Sequence, residues 1–198
     1  TTGSNNTAYG SGSLAANTTG HSQTAVGFEA LRTITTAPGS TAVGYAALKL
    51  NTAGDNTAVG SDALTTNSNG GALVAIGAAC LKVNTTASSN TGVGTTCLRY
   101  NTTGADNTAM GYRSMMDNTT GSSNTAVGKF ALTDNTTADF NTAIGTSAGA
   151  AVTTGEYNTL IGYIAGNYTN PITTGSKITI VGTHSKPSAA TGEKQIVL

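Results

Sequence analysis

The sequence predicts an all-β chain, a parallel β-roll or β-helix solenoid of about ten 17-residue repeats. Three observations carry that expectation. A glycine closes a short apolar run at Gly10, Gly27, Gly44, Gly60, Gly77, Gly94, Gly111, Gly128, Gly145 and Gly162, at spacings of 17, 17, 16, 17, 17, 17, 17, 17 and 17 residues. A period this regular means that one small unit is stacked along an axis, each copy covering its neighbour. Each unit holds two short strand-like runs joined by turns, which is too little chain for a helix pair or a propeller blade. The composition agrees: with 26 Gly, 7 Tyr, 3 Phe, no Trp and 9% charged residues, large side chains are too scarce for a conventional globular core. Val, Ile and Leu nevertheless recur in phase, which a disordered chain lacks.

The segment 107–128, NTAMGYRSMMDNTTGSSNTAVG, contains one full copy. Just before the glycine stand Tyr9, Val26, Val43, Val59, Ile76, Val93, Met110, Val127, Ile144 and Ile161, mostly β-branched, and this column is predicted to be core. One residue earlier come Ala8, Ala25, Ala42, Ala58, Ala75, Gly92, Ala109, Ala126, Ala143 and Leu160. Facing the other way, this column is predicted to press against another backbone. Thr occupies the position before it in nearly every copy.

After the glycine, a second strand-like run carries a small column (Ala30, Ala47, Ala63, Cys80, Cys97, Ser114, Ala131) and a large one (Leu31, Leu48, Leu64, Leu81, Leu98, Met115, Leu132). The large column lapses to Gly149 and Gly166. The unit closes through NTTG or a variant, such as Asn101–Gly104 and Asn118–Gly121, whose residues suit left-handed backbone and local hydrogen bonds. The single 16-residue spacing loses its residue in this turn, where chain length matters least.

The period breaks after Gly162, where the next such run, Lys177–Gly182, follows 20 residues later with Asn170-Pro171 between. Residues 1–166 are therefore expected to form the repeat domain, and 167–198 an atypical capping or transition segment. The chain begins on TTGSNN, partway through a repeat, and ends on the strand-like QIVL, which suggests a piece of something longer. So thin a roll buries little apolar area per residue, and lateral association of several copies is expected.

NTAVG followed by ALxxNTTG resembles the repeats in the heads of trimeric autotransporter adhesins, and still more those of tailed-phage fibres and related bacterial surface fibres. The resemblance covers nearly the whole chain. It implies a left-handed parallel β-roll with three chains packed around one axis. The repeat here is longer than the adhesin-head repeat, the NTTG turn being the added piece.

Formal net charge is zero, from 9 basic and 9 acidic residues scattered along the chain, so nucleic acid and anionic membranes are not expected partners. No apolar run approaches the roughly 20 residues needed to span a bilayer, and no membrane insertion of this segment is expected.

Cys80 and Cys97 stand 17 apart in one column and are expected to be ladder neighbours. A disulfide is conceivable, but packed thiols are preferred, because Ala and Ser fill the column elsewhere and adjacent parallel strands give awkward bridge geometry. Zinc is disfavoured, since neither His21 nor His184 falls in register with them. Asp117 and Asp134 are likewise stacked and invite a calcium ion or an acid–base pair. Solvated surface is preferred, with Lys82 and Arg99 close enough to soften the repulsion, because no oxygen-rich loop surrounds them. The sequons at Asn5, Asn17, Asn84, Asn101, Asn118, Asn135 and Asn167 are explained first by the repeated turn. No metal, cofactor or catalytic residue is assigned.

Positions after the glycine vary most and are read as surface. Tyr45, Tyr112 and Tyr163 are the candidates for a glycan-contacting stripe; the alternative is that they shield the roll or fill seams between protomers. The expected function is a non-enzymatic, extracellular, homotrimeric fibre segment of a phage tail fibre or bacterial surface adhesin, presenting or forming a site for host-surface polysaccharide. Alternatives are a single-chain solenoid assembling laterally into an extracellular filament, the trunk of a polysaccharide depolymerase, and an ice-binding solenoid. The last would need paired outward Thr columns, and each NTAVG run offers one Thr.

Overall fold

The structure is a computed structural model that describes residues 2–167, 171–188 and 195–198. Each repeat contributes one short strand: β1 (Thr7–Tyr9), β2 (Thr24–Val26), β3 (Thr41–Val43), β4 (Thr57–Val59), β5 (Val74–Ile76), β6 (Thr91–Val93), β7 (Thr108–Met110), β8 (Thr125–Val127), β9 (Thr142–Ile144), β10 (Thr159–Ile161), β11 (Thr179–Val181) and β12 (Ile196–Val197). They form one 12-stranded sheet in chain order. Pairing is parallel and in register, as in Thr108↔Thr125, Ala109↔Ala126 and Met110↔Val127, so every sequence column becomes a ladder. At about 4.8 Å per rung the sheet is roughly 50 Å long. The chain is thus a parallel β-solenoid of about 11 turns with a repeat of about 17 residues. β11 and β12, beyond Gly166, continue the same sheet in the same sense.

The second strand-like run is not a strand. After the glycine the backbone coils through consecutive turns, because the second and fourth residues past it take left-handed conformations, for example Phe130 at φ 60° and Leu132 at φ 47°. Their alternation with ordinary φ values folds the run back on itself and aims the Leu column inward. The glycine that opens this run has no substitute: at Gly128, φ is 136°, and a Cβ would lie 2.5 Å from the Gly145 carbonyl oxygen of the next turn.

The two faces of the strand are the reverse of the expectation. The Ala column is the buried one: Ala25, Ala42, Ala58, Ala75, Ala109, Ala126 and Ala143 have no exposed surface. Small residues fit there because the strand packs on the small and Leu columns of this chain: a Cβ at Gly92 would meet the Cys80 and Cys97 sulfurs and Leu81. The β-branched column faces outward, with Val43 and Val59 36% exposed, Ile76 and Ile144 41% and Met110 44%. β-branched residues suit a pleated surface whether it faces a core or not, so propensity did not indicate the side.

The core redistributes its volume toward the C-terminal end. Where the Leu column lapses to Gly149 and Gly166, the Ala column enlarges to Leu160 and Ile180, both fully buried, and Leu160 fills the space beside both glycines.

Between the apolar columns run two buried ladders of asparagine. In the first, the amide of each Asn donates to the side-chain oxygen of the Asn one turn earlier, Asn67 to Asn51 at 2.7 Å, Asn84 to Asn67 at 2.8 Å, Asn118 to Asn101 at 2.6 Å and Asn135 to Asn118 at 2.7 Å. In the second, each side-chain oxygen accepts the backbone N–H of the next turn, as Asn90 does from Asn107 at 2.8 Å, and the amide donates to a turn carbonyl, as Asn107 does to Gly121 at 2.8 Å. A buried amide left unpaired costs about 1–3 kcal/mol, and stacking identical residues lets each pair the next. Where the first ladder stops, at Ile34 and Val152, the oxygens of Asn17 and Asn135 that would face them are left without a partner.

Candidate functional site

The outward sheet face is the most distinctive surface of the molecule. In most strands Thr and the apolar residue two places on point the same way, making one ladder of mostly half-buried Thr, with Val74 at β5, beside one of exposed or half-buried Val, Ile and Met that begins at Tyr9. The apolar ladder runs unbroken from Tyr9 to Val181, and contiguous exposed apolar surface of this kind is characteristic of interaction surfaces. In-register pairing makes this face repetitive, and among the described residues it contains no pocket.

In the column one residue past the glycine, aromatic side chains stand at Phe28, Tyr45, Tyr112 and Tyr163. Tyr45, Tyr112 and Tyr163 fall in this single column, 56%, 42% and 48% exposed. Each pairs with a ring on a neighbouring turn. Tyr45 stacks on Phe28 at 5.4 Å between centroids, Tyr112 meets Phe130 edge-on at 5.5 Å, and Tyr163 meets His184 edge-on at 5.0 Å. They do not form one stripe. Four turns separate the first two tyrosines and three the last two, about 19 Å and 14 Å, with Ser61, Ala78 and Thr95, then Lys129 and Thr146, between. The Tyr112 patch is cationic, with the Arg113 guanidinium 5.3 Å and the Lys129 amine 6.0 Å from its ring centre. A fourth pair, Phe140 stacked on Tyr157 at 4.9 Å, lies in the column five residues before the glycine. Sequence reading passed over it because Ser, Asp and Ala fill that column elsewhere.

Charges cluster beside the first aromatic patch. Glu29 accepts from Lys49 at 2.7 Å and from Arg32 at 2.8 Å, and the Lys49 hydrogen bond, then Arg32, holds its carboxyl below the usual range. Lys82 pairs with Asp62 at 3.1 Å, so it does not soften the repulsion between Asp117 and Asp134. Partial burial and the neighbouring Asp117 raise the Asp134 carboxyl above the ordinary value. Among the described residues no three His, Cys, Asp or Glu side chains converge on a point that would hold a metal ion.

Cys80 and Cys97 are free thiols in the structure, as the packed-thiol reading expects, and are fully buried neighbours with their sulfurs 2.6 Å apart. The sequons at Asn84, Asn101, Asn118 and Asn135 belong to the first buried ladder, their amide nitrogens committed inside the fold, whereas Asn5 is exposed. Of the Asn167 sequon, Tyr168 and Thr169 lie outside the described residues, as does Asn170 of Asn170-Pro171. No helix among the described residues is long and apolar enough to cross a membrane.

No protein-family model, curated protein or solved structure matches this chain. Its class rests on its own geometry: a parallel β-solenoid repeat protein with an open apolar sheet face and exposed aromatic patches.

Proposed function

We propose that this chain is a structural and adhesive segment of an extracellular fibre, of the kind its repeats resemble in phage tail fibres and bacterial surface adhesins. In this reading three copies associate laterally through their outward sheet faces. The observation that carries it is the unbroken outward ladder of Val, Ile and Met, which lone solvated turns do not require. Facing copies would bury this ladder and leave the Thr hydroxyls and the aromatic patches toward the rim. Nothing in the mechanism is catalytic. Parallel hydrogen-bonded turns make a stiff rod, and the patches at Tyr45, Tyr112 and Tyr163 contact surface polysaccharide by ring stacking. Patches spaced along one rod suit a long polymer, since weak contacts on a single chain add by avidity.

Binding to immobilised bacterial capsule and lipopolysaccharide glycans tests the adhesive part. The native chain is expected to bind, and Y45A/Y112A/Y163A to lose at least tenfold in apparent affinity while keeping its solution mass. Unchanged binding by the triple variant would remove these residues from the site. A fall in its mass would assign them to seams between protomers.

One observation favours a second reading. The Ala column is buried within a single chain. A single-chain solenoid that joins laterally into a filament meets that condition too, and would give masses that climb with concentration instead of stopping at three.

A further inference from the structure

We propose that Cys80 and Cys97 form a disulfide that staples the fifth and sixth repeats together. Three observations point there. The cysteines hold the same position on consecutive turns, inside the solenoid, in the run of turns that follows the strand. The awkward geometry of a bridge between adjacent parallel strands therefore does not arise. Leu81 donates its backbone N–H to the Cys97 carbonyl at 3.0 Å, which ties the two turns together at this point. Turns stacked at about 4.8 Å fall within the Cα separations that disulfides span.

The sulfurs are 2.6 Å apart, well inside the contact distance of two packed thiols. Both side chains are fully buried, so no group from solvent stands between them.

The third observation is the residue opposite. Among β1 to β11 the inward column of the strand holds Ala, Leu or Ile, with one exception, Gly92. A Cβ on Gly92 would lie 2.5 Å from the Cys80 sulfur and 3.1 Å from the Cys97 sulfur. The column thus gives up its methyl at the one place where two sulfurs converge.

Closure requires a two-electron oxidant, for which a small disulfide such as oxidised glutathione suffices. One cysteine thiolate attacks it and releases one glutathione. The second cysteine then attacks the mixed disulfide and releases the other. Two protein thiols become one disulfide, the oxidant is reduced to two glutathione thiols, and the two protons pass to them. The bridge closes a 17-residue loop and limits the freedom of the unfolded chain.

The test is to refold the chain from guanidinium in a glutathione redox buffer, which gives the oxidant access before the core closes. Remaining thiols are then alkylated with iodoacetamide in denaturant, and the intact mass and linked peptides are measured. The expected result is a chain about 2 Da lighter than the reduced form, with no alkyl group, no retained glutathione, and a peptide cross-link joining Cys80 to Cys97. It is also expected to melt at a higher temperature than C80A/C97A. Two alkylated cysteines, glutathione adducts, or links only between chains would each overturn the proposal.

Discussion

A methyl group on Gly149 would lie 2.5 Å from Cδ1 of Leu160, one strand further along the chain. Seven of the eight turns before it hold Leu at that position and the other holds Met, while the inward strand position holds Ala or Gly. The two columns have exchanged bulk. We expect Leu160→Ala to lose about 2–5 kcal/mol as a cavity opens, and Gly149→Leu to lose about 1–3 kcal/mol by overpacking. The double variant returns this pair to the Leu and Ala of the earlier turns, leaving space only beside Gly166, and should lose less than the sum of the two single losses. Denaturant midpoints of the four proteins measure that coupling, and strict additivity would separate the two sites.

The asparagine ladder should be sensitive to position. Asn118 gives its amide to Asn101 and Gly121 and accepts from Asn135, so Asn118→Ala removes three hydrogen bonds in the interior. A loss of about 1–3 kcal/mol is expected. Asn135 stands at the ladder's end, where its side-chain oxygen already lacks a partner, and Asn135→Ala should cost less. Equal losses in urea unfolding would mean that the amides act as isolated turn residues.

The two shifted carboxyls predict opposite responses to pH. Asp134 titrates above its ordinary value, so the fold favours its protonated form and stability falls as pH rises from about 3.9 upward. Asp134→Asn should therefore be slightly more stable than the parent at pH 7, by well under about 1 kcal/mol for a mostly exposed group, and indistinguishable at pH 3. Glu29 is held below its ordinary value, so its contribution is present at neutral pH and lost as pH falls through the folded-state value. Glu29→Gln should lower the melting temperature at pH 7 and leave it unchanged in acid. Melting curves of both variants from pH 3 to 8 check the signs.

The solenoid, its period and its parallel ladders were legible in the sequence because a 17-residue repeat forces every column into register. The side of the strand was not, because NTAVG alternates one small and one β-branched residue, and either can face a core. The deciding signal lay in the exceptions: Leu160 in the Ala column opposite Gly149 reveals which column is inside. The asparagines of the NTTG turns were read as turn residues for their chemistry, and those that open NTAVG were given no role. Their columns are also filled by Ile34, Val152, Ile172, Leu73 and Ile178, and among the described residues never by a charged one, which marks them as interior. The second run was mistaken for a strand because left-handed Leu and Phe have no local signature; such conformations are rare for these residues and are held by the stack. Tyr45, Tyr112 and Tyr163 were placed on the surface correctly, but their partner rings and their spacing became visible only once the turns were stacked.

In the proposed fibre, the outward ladder of Val, Ile and Met joins copies of this chain. Light scattering of the native protein and of I76K/I144K, with far-UV circular dichroism of both, tests it most directly. Expected are a native mass three times that of the chain, a single-chain mass for the variant, and the same β spectrum for the two. A native protein that stays at the mass of one chain at every concentration, or a variant that keeps the threefold mass, would contradict it.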